Sequence, residues 1–435
     1  MNNMSASSPS YNFEQLGQEM HALMAELFPI CRSITGDGFR TSLAILGKHI
    51  PLQIHEVPSG TQVFDWTVPK EWNIRDAYIK DAQGNKVVDF QKSNLHILQY
   101  STPIQGRFSL AELKEHLYTI PEYPDWIPYK TSYYSEKWGF CLRQRTLDGL
   151  SEGEYEVCID TSLADGSLTY GEYVLPGELE DEVLISCHSC HPSLCNDNLS
   201  GVSLAVFLAR LLQDRKRRYT YRFLFIPGTI GSITWLALHQ VQAQKIKHGL
   251  VVACVGDPGH STYKRSRQGN AEIDRAVLHV LEHSGEAYGT EDFVPYGYDE
   301  RQYSSPGFNL AVGCLSRTPH GQFAEYHTSA DNLDFVQPPY LADSLHKYLQ
   351  AIDILENNLT YQNTNPMCEP QLGKRGLYSL MGGRKETRQI EMAMLWVLNF
   401  SDGGHSLLDI AEKSGLPFEV INDAAGALIS SGLLK

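Results

Sequence analysis

From Glu182 onward the chain alternates between short apolar runs and helix-like segments, and this alternation restricts the fold more than any other feature. "VLIS", "YRFLFI", "GLVVACV" and "NLAVGCL" read as buried strands, with segments 199–213, 231–243, 271–284 and 340–356 as helices between and after them. Parallel strands need long crossovers, and the crossover helices cover both sheet faces. The expected fold is therefore α/β, a mostly parallel sheet with helices on both faces. Such sheets collect their chemistry beyond the carboxyl ends of the strands. The polar residues follow that rule: His188 and His191 come after the first run, Asp257 after "VVACVG", and "AEYHTSADN" after "NLAVGCL".

The densest group of chemical residues is "CHSCHPSLCNDNLSG", between the first strand and its helix. A hydrolytic zinc site needs imidazole nitrogens and carboxylates at about 2 Å from the metal, with one position left open. His188, His191 and Asp197 lie in one loop that can aim them at a point. A zinc knuckle would need a second cysteine pair, and none follows "CHSC". The nine cysteines are odd in number, and Cys158, Cys254 and Cys314 sit inside apolar runs, so buried reduced thiols are expected rather than disulfides.

Ahead of this domain, residues 12–28 place Leu16, Met20, Leu23 and Leu27 on one helical face. The loop "CRSITGDGFR" follows, reading either as a connecting turn or as a holder for an anion. Residues 61–171 change character to short alternating runs broken by Pro, Gly and Asn, which is strand-and-turn chemistry. Residues 61–140 hold 15 of the 45 aromatic residues, so rings must fill much of this small β-rich domain's core, while "IPYKTSYYSEKWGF" resembles a wall over a groove. After about Pro366 a Gly- and basic-rich stretch leads into three short helices with winged-helix spacing. The expected division is 1–60 with 172–365 as the α/β domain, 61–171 as the insert, and 366–435 as linker and winged helix.

Residues 388–435 carry three basic against six acidic residues, and the third helix holds Glu419 and Asp423. With a net charge of −15, neither nucleic acid nor an anionic membrane is an expected partner. A protein contact or a second copy of the chain is the expected use of the winged helix. No apolar run is long enough for a membrane helix, and "MNNMSASSPSYNFEQ" has neither a basic start nor an apolar core, which points to the cytoplasm.

The order strand, His, "NDNLSG", helix, later Asp and "YHTSAD" resembles the zinc-dependent aminopeptidase fold that also includes glutaminyl cyclases. Nearly the whole chain resembles a bacterial family combining an aminopeptidase-like domain, an inserted β domain and a C-terminal winged helix, described alongside polysaccharide biosynthesis. "PICRSITGDG", "HEVPSGTQVFDWTVPKEWNIRDAYI", "IPYKTSYYSEKWGFC", "CHPSLCNDNLSG", "YGYDERQYSSPGFNL" and "EYHTSADNLDF" carry the resemblance. It implies zinc, one ion or two. Asp197 takes the place of the bridging aspartate, His327 that of the late histidine ligand, and Asp257 that of an aspartate after a later strand. Either His188 or His191 supplies the first histidine.

One departure bears on catalysis. Aminopeptidases carry adjacent glutamates after the next strand, a general base and a metal ligand, where this chain has Gly228 and Thr229 in "PGTIGS". Glu325, two residues before His327, or Glu300 in "YDERQY" are the candidate substitutes, and Glu325 could equally orient a ligand. Alternatively the substrate assists the metal, or the domain binds without hydrolysing. The expected reaction is cleavage of a peptide or amide bond in a small-molecule or peptide substrate; the rival is a cyclase, transferase or binding protein. Arg32 or Arg40 would meet a substrate anion, and Tyr133, Tyr134 and Arg301 complete the candidate substrate contacts.

Overall fold

The computed structural model describes residues 11–377 and 385–435. The first ten residues of the amino-terminal stretch and residues 378–384 of the linker, both read above, lie outside the described residues. Two compact units are present: Phe13–Ala271 with Ala287–His346, and Glu272–Glu286 with Lys347–Lys435. Among the described residues no helix is long and apolar enough to cross a membrane.

The first unit is built on an eight-stranded sheet in the order Gln53–Pro58, Ser167–Leu175, Thr220–Ile226, Glu182–His188, Ile246–Val252, Val312–Ser316, Ser261–Lys264 and Tyr288–Glu291. The four strands from Thr220–Ile226 to Val312–Ser316 run parallel, as their continuous apolar runs require. Every residue of Glu182–His188 is buried. From this strand the chain passes through helix Gly201–Gln213 to the neighbour on one side, and then to Ile246–Val252 on the other. The strand order therefore reverses at its carboxyl end, where such sheets open a crevice. His188 is the last residue of that strand.

Asn198 closes the crevice floor. Its amide nitrogen donates to the carbonyls of His188 at 3.1 Å and Val252 at 2.9 Å, joining two adjacent strand ends. Helix Gly201–Gln213 starts so close to them that any Cβ at residue 201 would collide with Asn198 and the Val252 carbonyl, hence the glycine.

The chain leaves the large sheet after Pro58 and re-enters it at Ser167, so strand Ser167–Leu175 belongs wholly to the large sheet rather than partly to the insert. Between them lies an antiparallel four-stranded sheet, Lys86–Asp89, Glu71–Lys80, Glu154–Ala164 and Ile104–Ser109. Its aromatic residues divide as expected: Trp72 is buried and donates to the Ser101 carbonyl at 2.9 Å, while Trp66 and Tyr134 are exposed and meet edge to face.

Three strands of the large sheet share one buried ion cluster. Arg222 grips Glu182 with two nitrogens, at 2.7 and 2.8 Å, and also donates to Glu172, which accepts from the Trp235 indole at 3.1 Å. The three residues come from Thr220–Ile226, Glu182–His188 and Ser167–Leu175, so the cluster spans their register.

The second unit contains helices Lys385–Phe400, Leu407–Ser414 and Phe418–Ser430, with strand Asp402–Ser406 paired to Thr360–Gln362. Helix Glu272–His283 packs within this compact unit. Arg275 binds Asp409 and Glu412, and the His279 Nε2 accepts the Phe418 amide at 2.9 Å. Burial, aided by the nearby His283 ring, pushes His279 down to about 4.

Two stability measurements test these packings. Arg222→Met should cost about 3–5 kcal/mol in urea unfolding, because it leaves two carboxylates buried without their cation; adding Glu172→Gln and Glu182→Gln should restore most of that loss. For His279 the folded value lies below the ordinary 6.5, so the unfolded chain binds more protons between these values. Its contribution is complete above pH 6.5 and lost as the pH falls towards about 4. Protection factors in helix Phe418–Ser430, which remove the intrinsic pH dependence of amide exchange, should therefore fall over that window, with a shallower pH slope in His279→Asn.

Candidate metal centre

The loop after His188 turns back on itself before helix Gly201–Gln213 begins. Asp197 and Asn198 depart from helical backbone angles, and the peptide between them is cis. The turn is held by Asp331, whose two oxygens accept the amides of Asn196 at 2.6 Å and Asp197 at 3.0 Å. Asn196 in turn donates to Asp257 at 3.0 Å and accepts the Gly256 amide at 3.0 Å. These bonds occupy the Asn196 side chain and the Asn196 and Asp197 amides, and the Asp197 side chain is left to face the histidines.

Asp197 is shared between two of them. Its Oδ1 lies 2.7 Å from His188 Nε2 and its Oδ2 lies 2.9 Å from His327 Nε2. The His191 ring stands between these, with its centroid 4.9 Å from that of His188 and 5.2 Å from that of His327. The ligand atoms of His188, His191 and Asp197 all lie within 4.8 Å of one another, the only such His/Cys/Asp/Glu group among the described residues.

His191 carries the clearest mark of a missing partner, since its Nδ1 is buried without a hydrogen bond. Burial pushes His191 down to about 3, which keeps the imidazole neutral and its lone pair available to a metal. Burial opposes ionisation of Asp197 as well, but the surrounding imidazoles outweigh it and hold the carboxyl well below its usual range. A carboxylate shared by two imidazoles, with a third imidazole beside it, is a donor set suited to a divalent ion. Cysteine does not join it: burial pushes Cys190 up to about 12, and its sulfur accepts the Gly228 amide at 3.2 Å.

The centre opens into a cavity of about 790 Å³ that exposes His188, His191 and His327. Aromatic rings enclose the histidines. Tyr298 stacks on His188 at 4.8 Å, Tyr326 stacks on His327 at 4.0 Å, and Tyr129 meets both His191 and His327 edge on at 5.1 Å. The insert reaches the centre through backbone: the Tyr129 amide donates to the His327 carbonyl at 2.7 Å, and the Ser329 amide donates to the Ile127 carbonyl at 2.8 Å. Tyr133 and Tyr134, expected in a wall over the groove, both line this cavity, as does Arg301.

Five other candidates are placed elsewhere. Arg32 is buried and donates to the His191 carbonyl at 2.8 and 3.1 Å and to the Leu27 carbonyl at 2.6 Å, so it positions a histidine and leaves nothing for a substrate anion. Arg40 is consumed by Glu71, Glu56 and Asp37. Asp257 accepts from Asn196, the Gly259 amide, and both the amide and hydroxyl of Thr318, which ties loops together and keeps it out of the metal group. Glu300 is buried against Lys264 at 2.8 Å. Glu325 does not line the cavity.

Two functional carboxylates escaped the sequence reading. Asp331 stands in the quoted "YHTSAD", but only the folded turn shows that it carries the Asp197 backbone. Asp299 lies beside the departure at residue 228. Its Oδ1 accepts the Thr229 amide at 2.7 Å and the Ser232 hydroxyl at 2.9 Å, at the start of helix Ile230–Leu238. Its Oδ2 is buried with no hydrogen-bond partner, and the residue lines the cavity. Burial raises the Asp299 carboxyl above its usual range, with His188 pulling the other way. Nothing local in "YGYDERQY" separates Asp299 from Glu300; the loop reaches residue 229 only in the folded chain.

Comparison with known proteins identifies the family and the fold. A family model described as a domain of unknown function, DUF4910, matches residues 21–358, and a winged helix-turn-helix model matches residues 359–435. The chain belongs to the DUF4910 family. A Clostridium acetobutylicum protein named for polysaccharide biosynthesis and an aminopeptidase-like domain is 57% identical over 424 residues, covering 98% of each chain. A crystal structure of a candidate peptidase from the same organism is 56% identical, with a TM-score of 0.94 over 98% of this chain and 97% of the other. The DUF4910 domain also shares its fold with the zinc aminopeptidase BSAP of Bacillus subtilis, at a TM-score of 0.58 and 11% identity over 80% of this chain and 95% of that one. A peptidase M28 precursor from Shewanella amazonensis gives 0.54 at 13% over 79% and 96%.

Removing the support beneath Asp197 should be costly. Asp331→Ala leaves two buried amides without an acceptor, at about 1–3 kcal/mol each. Urea unfolding should rank wild type above Asp331→Asn, which keeps one carbonyl acceptor, and Asp331→Asn above Asp331→Ala.

Proposed function

We propose that this DUF4910 protein is a zinc-dependent hydrolase of amide or peptide bonds. One observation carries the reading: His188, His191 and Asp197 converge on a point in the same cavity that Asp299 lines. His188, His191, Asp197 and His327 are the residues that would hold the ion, as one zinc or two. When bound, zinc would polarise the amide carbonyl and acidify water.

The chain's own residues supply the rest. Asp299 stands where the missing glutamate is needed, delivered from loop 296–301 rather than from the turn at Gly228. Thr229 and Ser232 hold one of its oxygens, leaving Oδ2 to accept the proton of the attacking water. Burial lifts its proton affinity, which suits a group that must take a proton and pass it to the departing amine. Tyr129, Tyr298 and Tyr326 limit water around the reacting bond. The relative is named as a polysaccharide biosynthesis protein, which supports an amide on an amino sugar as well as a peptide as the proposed substrate. The non-hydrolytic reading draws on the absence of any carboxylate at residues 228 and 229.

Metal analysis and turnover separate these readings. Purified protein should hold zinc, and Asp197→Asn should lose most of it; full retention would discard the site. In a screen of aminoacyl and N-acyl-sugar amides, Asp299→Asn should lower kcat by about 10²–10⁴-fold with zinc content unchanged. Equal turnover in the variant removes Asp299 as the proton acceptor. A zinc-loaded protein that turns over no amide favours a binder.

A further inference from the structure

The charge of the cavity runs against that of the chain. Overall the protein carries −15, yet the cavity lining contains Lys130, Lys137 and Arg301 and a single carboxylate, Asp299. Elsewhere in the same unit the arginines near the site are already paired: Arg32 with carbonyls, Arg40 with three acids, Arg222 with two, and Arg317 with Asp343. The three cavity cations have no ion-pair partner among the described residues.

Arg301 differs from an ordinary solvated cation. Its Nε is buried with no hydrogen-bond partner, and its guanidinium lies 6.0 Å from the Tyr296 ring centroid. A guanidinium presents a planar fork of donors that matches a carboxylate or phosphate. Shutting part of that fork away from water without an acceptor is costly unless a ligand supplies one. Arg301 stands two residues after Asp299, in the short helix Glu300–Tyr303 that Asp299 precedes, so one segment presents the proposed proton acceptor and an anion receiver to the same cavity. Around the opening, Trp66, Tyr134 and Tyr296 expose apolar ring faces.

We propose that the substrate is an acidic amide whose anionic group is bound by Arg301, with Lys130 and Lys137 adding positive potential at the entrance. This rests on the hydrolase reading only for the fate of the amide; the anion subsite itself is a property of the cavity. Either an acidic N-acyl amino sugar or an acidic N-acyl amino acid carries the required chemistry, and the aromatic rim accepts the apolar face of both.

Calorimetric titration of the zinc-loaded full-length chain tests this with two matched pairs. N-acetylneuraminic acid is compared with its neutral methyl ester, and N-acetyl-L-glutamate α-amide with N-acetyl-L-glutamine α-amide. At least one acid should bind about tenfold or more tightly than its neutral partner, and the pair that does so names the source. Arg301→Gln should abolish that preference while zinc content stays the same; Arg301→Lys, which keeps the charge, should retain part of it. The proposal fails if neither acid binds by about 10 mM, if acid and neutral partner bind alike, or if Arg301→Gln keeps the preference. Because binding is read apart from turnover, an acid preference in a protein that hydrolyses nothing would uphold the subsite and reject the hydrolase.

Discussion

The sharing of one buried carboxylate between two histidines is the interaction on which the rest of this molecule depends. Asp197 sits in a place where a lone charge could not persist, and it does so because His188 and His327 stand on its two oxygens and His191 beside them. The three histidines come from a strand end, the loop after it and a segment some 130 residues later. Bringing them together requires the strand order to reverse at His188, the Asn198 amide to join two strand ends, and Asp331 to hold the turn. Each of those requirements uses a polar group that is fully buried, so the cost of an error is high at every step.

Much of this was legible in the sequence because it follows from period and position. Apolar runs separated by helical segments permit little besides a parallel sheet, and such a sheet places His188 and the "NDN" turn at its chemical end. His188, His191 and Asp197 could be read because they lie within ten residues of each other, whereas His327, some 130 residues on, was named only through the family resemblance. Arg32, Arg40 and Asp257 could not be assigned in this way. An arginine facing a substrate and an arginine holding a carbonyl look the same in a one-dimensional chain, and only the folded loop shows that the Arg32 fork is already full. Asp299 was hidden for the opposite reason: its neighbour Glu300 has the same chemistry, and which of the two faces the cavity depends on a loop whose course no local signal records.

Under the hydrolase proposal, Asp299 takes the place of a residue at position 228 on a simple physical basis. A Cβ at Gly228 would make only ordinary contact with His188 and Cys190, so the glycine is not demanded by space. What the active centre requires there is a carboxylate oxygen near the histidines, and either backbone segment can deliver it. The start of helix Ile230–Leu238 is common ground: its amides favour a negative charge whichever loop provides it. Chemistry in this fold is therefore set by where the oxygen stands, not by which stretch of chain bears it.

The pairing of Ile127–Tyr129 with His327–Ser329 makes the insert and the late histidine one mechanical piece. Residues 130–135 and Lys137 extend beyond that pairing and line the cavity, and none of them supplies the backbone bonds that seat His327. The segment is tied instead to Gln99 and Thr102, so its exposed side chains can change while the seat stays still. Exchanges at those seven positions would reshape what the cavity accepts and leave the seat of His327 as it is.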